Sequence, residues 1–339
     1  MDKILVVQTA FLGDVILITP LIRGLKEIFP EARIDALIRP QNAAVLNNNP
    51  YIDKLLFFDK SKRRMREFFR VAKAIKTEKY TVAVTPHSSF TTALLLFLGG
   101  IKRRVGYNRY LARHFLTDKF PHRKNVHKTV KNLELLKAFS DESFDNATEI
   151  YPSAEDTLLA DKAISNPNTI VFAPGSVWAT KRWPAEYYAS LAAMLKEKGY
   201  EVVFSGGAAE ALLCDEIIAQ SGCRLQNFAG KLSVTQSAAV FRACRLLISN
   251  DSGALHIANA VNTPVYAFFG PTVTTLGYYP YKEKDRVFEV DIACRPCGSH
   301  GGRACHMKHF DCMRKIEPQT VLDAVIANFP ILGQRPQNK

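Results

Sequence analysis

The sequence predicts an α/β protein of two doubly wound halves, each a parallel sheet covered by helices on both faces. Three observations predict it. Segments rich in β-branched and aromatic residues alternate with helix-length amphipathic segments from end to end, a pattern that calls for crossover units. The alternation breaks once, in the polar stretch Ser143–Asn168, and then restarts. The length, 339 residues, also exceeds what one core ordinarily holds.

The elements follow in order. Strands are expected at Ile4–Gln8, Arg33–Ile38, Lys54–Phe58, Tyr80–Thr85 and Arg104–Tyr107, with helices at Asp14–Lys26, Ser61–Lys76 and Phe90–Leu98 among them. Residues Ile4–Ile22 approach the length of a membrane span, but Asp14 at their centre makes a bilayer location costly. Strand, turn and helix is the better reading, and no secretory leader is expected. After the break come strand Thr169–Ala173, helix Pro184–Lys198, strand Glu201–Ser205 and helix Ala208–Gln220. Helix Val234–Cys244, strand Leu246–Ser249, helix Gly253–Val261 and strand Val265–Phe269 complete the second half. The expected division is domain 1–152, linker 153–168, domain 169–316, and a tail 317–339 whose helix Pro318–Asn328 packs back on the first domain.

Hydrophobic residues make up 47% and charged residues 23%, which excludes disordered and collagen-like classes. Seven cysteines, all beyond residue 210, suit a reducing, cytoplasmic setting better than a stapled secreted fold. The formal charge of +13 is uneven. Residues 1–151 hold 26 Lys and Arg against 15 Asp and Glu, whereas the remainder holds 19 against 17. The first half is therefore built to face something anionic.

In open parallel sheets, ligands bind outside the carboxyl ends of the strands, and the unusual residues recur there. Ser249-Asn250-Asp251-Ser252-Gly253-Ala254-Leu255-His256 runs from a buried strand through a small turn into a helix. The free N–H groups of that first turn suit a phosphate, and Ser252 adds a hydroxyl while Gly253 allows close approach. The plainer alternative is that Asp251 or Ser252 caps the helix. The loop Gly175-Ser176 to Lys181-Arg182-Trp183-Pro184 brings two cations to a helix start, where a fixed ammonium would stabilise a departing diphosphate. Solvated surface cations are the alternative. Glu210, after Gly206-Gly207, would accept from ribose hydroxyls or simply complement a helix dipole. Asp14, in Phe11-Leu12-Gly13-Asp14-Val15, is an acid among apolar neighbours, either a proton acceptor or a structural first-turn residue.

The cationic segment Lys60, Lys62, Arg63, Arg64 and Arg66, with Arg103 and Arg104, suits a phosphorylated acceptor, an anionic membrane surface, or plain solvation. No nucleic-acid-binding signature accompanies it, and no nucleic-acid partner is expected. No dinucleotide-type Gly-x-Gly-x-x-Gly turn supports nicotinamide chemistry. Cys294, Cys297, Cys305 and Cys312, near His300, His306 and His309, allow a structural zinc, free thiols or a disulfide; none is assigned to catalysis.

Together these segments resemble glycosyltransferase family nine, the ADP-heptose:lipopolysaccharide heptosyltransferases. The resemblance spans nearly the whole chain, and it is carried by Ile4–Val7 leading to Leu12-Gly13-Asp14 and Thr19-Pro20, then Gly175…Lys181-Arg182-Trp183-Pro184, Gly206-Gly207…Glu210 and Asn250-Asp251-Ser252-Gly253…His256. Cys294–Cys312 looks like the tail of the heptosyltransferase II branch, while Gln8 and Ala254 depart from the usual Arg and Pro. The resemblance implies a GT-B fold, two Rossmann-like domains facing across a cleft, with acceptor on the first and ADP-heptose on the second. It implies Asp14 as general base, Ser176 and Lys181 on the diphosphate, Glu210 on the nucleoside, Ser252 and Gly253 on phosphates, and Asp251 and His256 near the heptose. It implies single-step inversion without a divalent metal or other required cofactor. The implied acceptor is an anionic lipopolysaccharide precursor met at the inner leaflet of the cytoplasmic membrane. A sugar-nucleotide epimerase of the same fold and a basic nucleic-acid or membrane adaptor are the rival readings, and no oligomeric state is assigned.

Overall fold

The structure, a computed structural model, describes residues 2–59, 61 and 64–332, with the side chain of Arg64 outside the description. The chain divides into two compact units, Met1–Tyr151 and Pro152–Lys339.

The first unit holds strands β1 (Lys3–Gln8), β2 (Arg33–Ile38), β3 (Lys54–Phe57), β4 (Val82–Thr85), β5 (Arg103–Tyr107) and β6 (Asp118–Phe120), in the order β3-β2-β1-β4-β5-β6. The second holds β7 (Thr169–Ala173), β8 (Glu201–Phe204), β9 (Gln226–Asn227), β10 (Leu246–Asn250), β11 (Val265–Phe268) and β12 (Arg286–Phe288), in the order β12-β11-β10-β7-β8-β9. Every pairing is parallel. The central strands β1, β7 and β10 are buried almost throughout, as expected of parallel strands covered on both faces.

Two readings are corrected by the structure. The helix expected over Asp14–Lys26 is two helices, Leu12–Ile16 and Thr19–Ile28. Pro20 explains the break: it lacks an N–H and is tolerated only in a first turn. The stretch read as a linker contains helix Ala154–Ala163, started by a capping box in which Ser153 and Asp156 exchange hydrogen bonds of 3.1 and 3.0 Å. That helix packs on helix Val234–Ala243 of the second unit. The final helix, Pro318–Asn328, packs against helix Ala185–Glu197 and contributes Val321, Leu322 and Val325 to the second unit's own core. The short strands β6, β9 and β12 lie at sheet edges, where two or three residues leave too little pattern to read.

Candidate active-site elements at two sheet edges

In the first unit, the turn after β1 is fixed by its neighbours. The Arg39 Nε donates to the Thr9 carbonyl at 2.7 Å, and the Asn42 amide donates to the Ala10 carbonyl at 3.1 Å. The Thr9 hydroxyl meets His87 Nδ1 at 3.2 Å, joining this turn to the one after β4. Asp14 then sits half-buried in the five-residue helix Leu12–Ile16.

Helix Lys128–Leu133 is tied to the same region, because the Asn132 amide donates to the Leu17 carbonyl at 2.7 Å and the Tyr107 hydroxyl donates to Asn132 at 3.2 Å. Lys128 and Lys131 on that helix are both buried. Burial pushes the Lys128 ammonium down to about 8; the Asp14 carboxylate opposes that fall, and Lys131 and Arg109 add to it. The Lys128 ammonium also lies 5.2 Å from the centre of the Tyr107 ring. Burial, with Lys128, Arg109 and Lys131 beside it, lowers His122 to about 4, so its imidazole is neutral at pH 7. Asp14 therefore lies close to buried cations. Sequence reasoning missed Lys128, Lys131, Arg109 and His122, since nothing in their local pattern marks a buried lysine.

The cationic residues proposed for an acceptor fare differently. Lys60, Lys62 and Arg63 lie outside the described residues, and so does the side chain of Arg64. Arg66 is exposed near the start of helix Arg64–Glu78. Arg103 and Arg104 lie elsewhere. They open β5 at its amino end, the opposite sheet edge from Asp14, with Arg103 in register with Val82 at the start of β4. Arg103 pairs with Asp118 at 3.0 Å and donates to the Ala138 carbonyl at 2.5 Å. Arg104 donates to the Phe115 carbonyl at 2.5 Å and to the Ile101 carbonyl. Their guanidinium groups hold the fold together.

In the second unit, the loop after β7 is bolted to β10 by one side chain. The Asn250 amide donates to the Pro174 carbonyl at 2.7 Å, and its oxygen accepts from the Trp183 N–H at 2.9 Å. Trp183 stacks on Phe268 at 4.2 Å between ring centres and donates from its indole to the Ile316 carbonyl at 2.9 Å. Arg182 turns inward and donates to the Ser176 carbonyl from Nε at 2.9 Å and from its terminal nitrogen at 2.8 Å. Lys181 is thus held at the carboxyl edge, where its Nζ donates to Asp251 Oδ2 at 2.5 Å; both side chains are about nine-tenths buried. The Thr272 hydroxyl donates to the same oxygen at 2.7 Å.

This geometry decides two alternatives left open by the sequence. Lys181 is not a solvated surface cation. Neither Asp251 nor Ser252 caps helix Gly253–Ala260: the Asp251 carboxylate bonds Lys181 and Thr272, and Ser252, at the cap position, makes no side-chain cap bond. The N–H groups of the first turn, beginning at Gly253, are left facing the same edge as Lys181. His256 is buried on that helix, edge-on to Tyr278 at 6.3 Å.

Glu210 is wrapped by three glycines. A Cβ on Gly175 would come within 2.3 Å of its Cγ, and Gly206 and Gly207 are nearly as close. The Gly207 N–H donates to Glu210 Oε2 at 2.6 Å, so the carboxylate is fixed in place with its other oxygen outside that bond.

The cysteine-rich segment braces the Lys181 loop. The Thr180 N–H donates to the Gly302 carbonyl at 3.1 Å, and the Gly302 N–H returns a bond to the Thr180 hydroxyl at 2.7 Å. A Cβ on Gly301 would fall 2.9 Å from Lys181 Cγ. A cavity of about 110 Å³ is lined by Cys297, Cys305, Cys312, His300 and His306 among others. Among the described residues no three His, Cys, Asp or Glu side chains are grouped to hold a metal, and all seven cysteines, Cys294, Cys297, Cys305 and Cys312 among them, are free. The reason is orientation. Cys294 turns to His309 at 3.9 Å, the Cys297 thiol donates to the Cys294 carbonyl, and Cys312 is buried in the core.

Two parallel six-stranded sheets of matching order, each with charged side chains at its carboxyl edge, describe a pair of doubly wound units. The family model of glycosyltransferase family 9 (heptosyltransferase) matches residues 68–308. Lipopolysaccharide heptosyltransferase 2 of Escherichia coli K12 is 26% identical over 80% of this chain and 83% of its own length. Lipooligosaccharide heptosyltransferase 2 of Campylobacter jejuni is 25% identical over 95% and 98%. Among solved structures, a family 9 glycosyltransferase from Veillonella parvula superposes with a TM-score of 0.83 at 27% identity, covering 96% of each chain. ADP-heptose lipopolysaccharide heptosyltransferase II of E. coli gives 0.78 at 25%, covering 96% of this chain and 98% of that one. The chain belongs to glycosyltransferase family 9. It is a GT-B-fold enzyme of the glycosyltransferase class.

Proposed function

We propose that this enzyme transfers heptose from ADP-heptose to the inner core of a lipopolysaccharide precursor, inverting the anomeric centre in a single displacement. The observation that carries the reading is the Lys181–Asp251–Thr272 cluster beside the uncapped start of helix Gly253–Ala260. A diphosphate gains charge as its bond to the sugar breaks. Lys181 and the first-turn N–H groups stabilise that gain without waiting for solvent to reorganise. Ser176, Ser252 and Gly253 complete the phosphate cradle, Glu210 takes the ribose hydroxyls, and Asp251 and His256 address the heptose. Asp14 accepts the proton of the acceptor hydroxyl as its oxygen attacks the anomeric carbon. The half-buried position of Asp14 beside the buried Lys128 ammonium supports this role. The cradle supplies positive charge from side chain and backbone, so the reading requires no cofactor.

The acceptor in this reading is an anionic glycolipid met at the inner face of the cytoplasmic membrane. The surplus of 26 Lys and Arg over 15 Asp and Glu in residues 1–151 supports it. Among the described residues, no helix is long and apolar enough to cross a membrane.

A nucleotide panel tests the donor half. ADP and ADP-sugars are expected to raise the melting temperature, and UDP and GDP to leave it unchanged. Equal stabilisation by all of them would remove the adenine assignment. Incubation with ADP-heptose alone separates transfer from epimerisation, because a new free sugar without acceptor would favour the latter.

A further inference from the structure

Helix Phe90–Leu98 is apolar on both faces. Thr92, Ala93, Leu95 and Leu96 are buried against the first unit and Leu94 is half-buried against the same core, which leaves Phe90, Phe97 and Leu98 exposed. Those three follow the i, i+7, i+8 spacing of one helical stripe. Phe97 is 50% exposed and Leu98 44%. The turn Tyr110–Phe115 packs beside this helix through Phe115, whose ring meets Phe90 and Phe97 edge-on at 5.5 and 5.6 Å. The same turn holds Tyr110 and Leu111 outward, at 66% and 63% exposure. Single exposed apolar residues are ordinary on a protein surface; a stripe extended by a second element is not.

The chain segment that forms this surface carries charge of one sign. No Asp or Glu occurs between Glu78 and Asp118, whereas six Lys and Arg do. Lys102 and Arg113 are exposed at the rim, the Arg104 guanidinium lies 5.5 Å from the Phe97 ring centre, and that of Arg109 lies 4.4 Å from the Tyr110 ring centre. An acidic protein surface would match the cations and leave the apolar stripe wet. A bilayer containing anionic lipid matches both, since apolar side chains enter the headgroup boundary while Lys and Arg meet lipid phosphates.

We infer that the surface formed by Phe90, Phe97, Leu98, Tyr110 and Leu111, rimmed by Lys102 and Arg113, docks the enzyme on an anionic lipid bilayer. This extends the glycolipid-acceptor reading by naming the surface that meets the membrane. The surface flanks β4 and β5 in the unit that carries Asp14, so docking brings that unit to the place where a lipid-anchored acceptor resides.

The test is flotation of the full chain with vesicles of phosphatidylcholine containing phosphatidylglycerol, against vesicles of phosphatidylcholine alone. The wild type is expected to float with the first and much less with the second. Leu98→Glu combined with Leu111→Glu is expected to cut binding at least about tenfold, given the apolar area withdrawn and the charge added. Lys102→Gln combined with Arg113→Gln, which leaves the apolar stripe intact, is expected to reduce binding mainly at low salt. Wild-type protein that stays free of both vesicles, or a Leu98→Glu/Leu111→Glu variant that floats undiminished, would overturn the inference. So would sedimentation showing that the wild type dimerises through this surface while the variant is monomeric and binds vesicles equally. These vesicles contain neither donor nor acceptor, so the outcome is independent of the catalytic reading. Transfer to a delipidated acceptor in solution, expected to be the same in wild type and the Leu98→Glu/Leu111→Glu variant, reports on that reading separately.

Discussion

The two units share one sheet order, since β3-β2-β1-β4-β5-β6 is repeated, read from the other side, by β12-β11-β10-β7-β8-β9. They furnish the carboxyl edge in opposite ways. After β1 comes an acid, Asp14, with the covered cations Lys128 and Lys131 nearby. After β7 comes a cation, Lys181, tied to the acid Asp251 beside free helix N–H groups. One edge is suited to taking a proton and the other to receiving negative charge. The difference teaches that the doubly wound fold provides a location, while the charge placed there decides the chemistry.

The comparison breaks most visibly at the acid. Asp14→Asn is expected to lower the transfer rate about 10²- to 10⁴-fold, the usual contribution of a general base, while leaving ADP affinity intact. A variant that turned over normally would show that the first edge contributes no base. Lys181→Ala is expected to weaken ADP binding and to slow transfer by about 10²-fold or more, because both the ground state and the departing diphosphate lose their ammonium. It also strands a mostly buried Asp251, so a lower melting temperature is expected alongside. Unchanged ADP affinity, measured by calorimetry, would move the phosphate cradle elsewhere.

Lys128 sharpens the contrast through pH. Its folded value of about 8 lies below the ordinary lysine range, so between about pH 8 and 10.5 the unfolded chain binds more protons than the folded one. Its contribution to stability therefore rises with pH through that window and is unfavourable below it. Lys128→Met is expected to remove this rise and to stabilise the chain at pH 7 by up to about 3 kcal/mol, the free-energy equivalent of the shift. The same variant leaves Asp14 without its nearby cation, and slower transfer at pH 7 is expected. A rate profile and melting curve identical to wild type would remove Lys128 from the picture.

The smallest effect is expected at Gly301→Ala, where the new methyl group would come within 2.6 Å of the Trp178 Cβ and 2.9 Å of the Lys181 Cγ, so the Lys181 loop must shift. A several-fold loss of ADP affinity with a modest fall in melting temperature is expected. Unaltered affinity would mean that the cysteine-rich segment does not position Lys181.

Much of this was legible in the sequence, and the limits have physical causes. Lys181, Asp251 and Ser252 stand in runs where strand, small turn and helix follow one another, so their place at a carboxyl edge is a local property. The run Arg103-Arg104 carries no sign of which carbonyls it will meet; both guanidinium groups donate to the backbone of residues 101–138. Asn250 looked like one polar residue in a turn, and its role as the bolt between two loops depends on Pro174 and Trp183, distant in sequence.

The sequence by itself determined the alternation of strands and helices, the restart after Asn168 and the surplus of cations in the first half, because periodicity and composition are written residue by residue. Only the tertiary structure decided that Lys128 is buried beside Asp14, that Lys181 is paired with Asp251 and that Ser252 leaves its helix uncapped. Each of those facts is set by burial and by partners brought together from far along the chain, and a linear pattern carries neither.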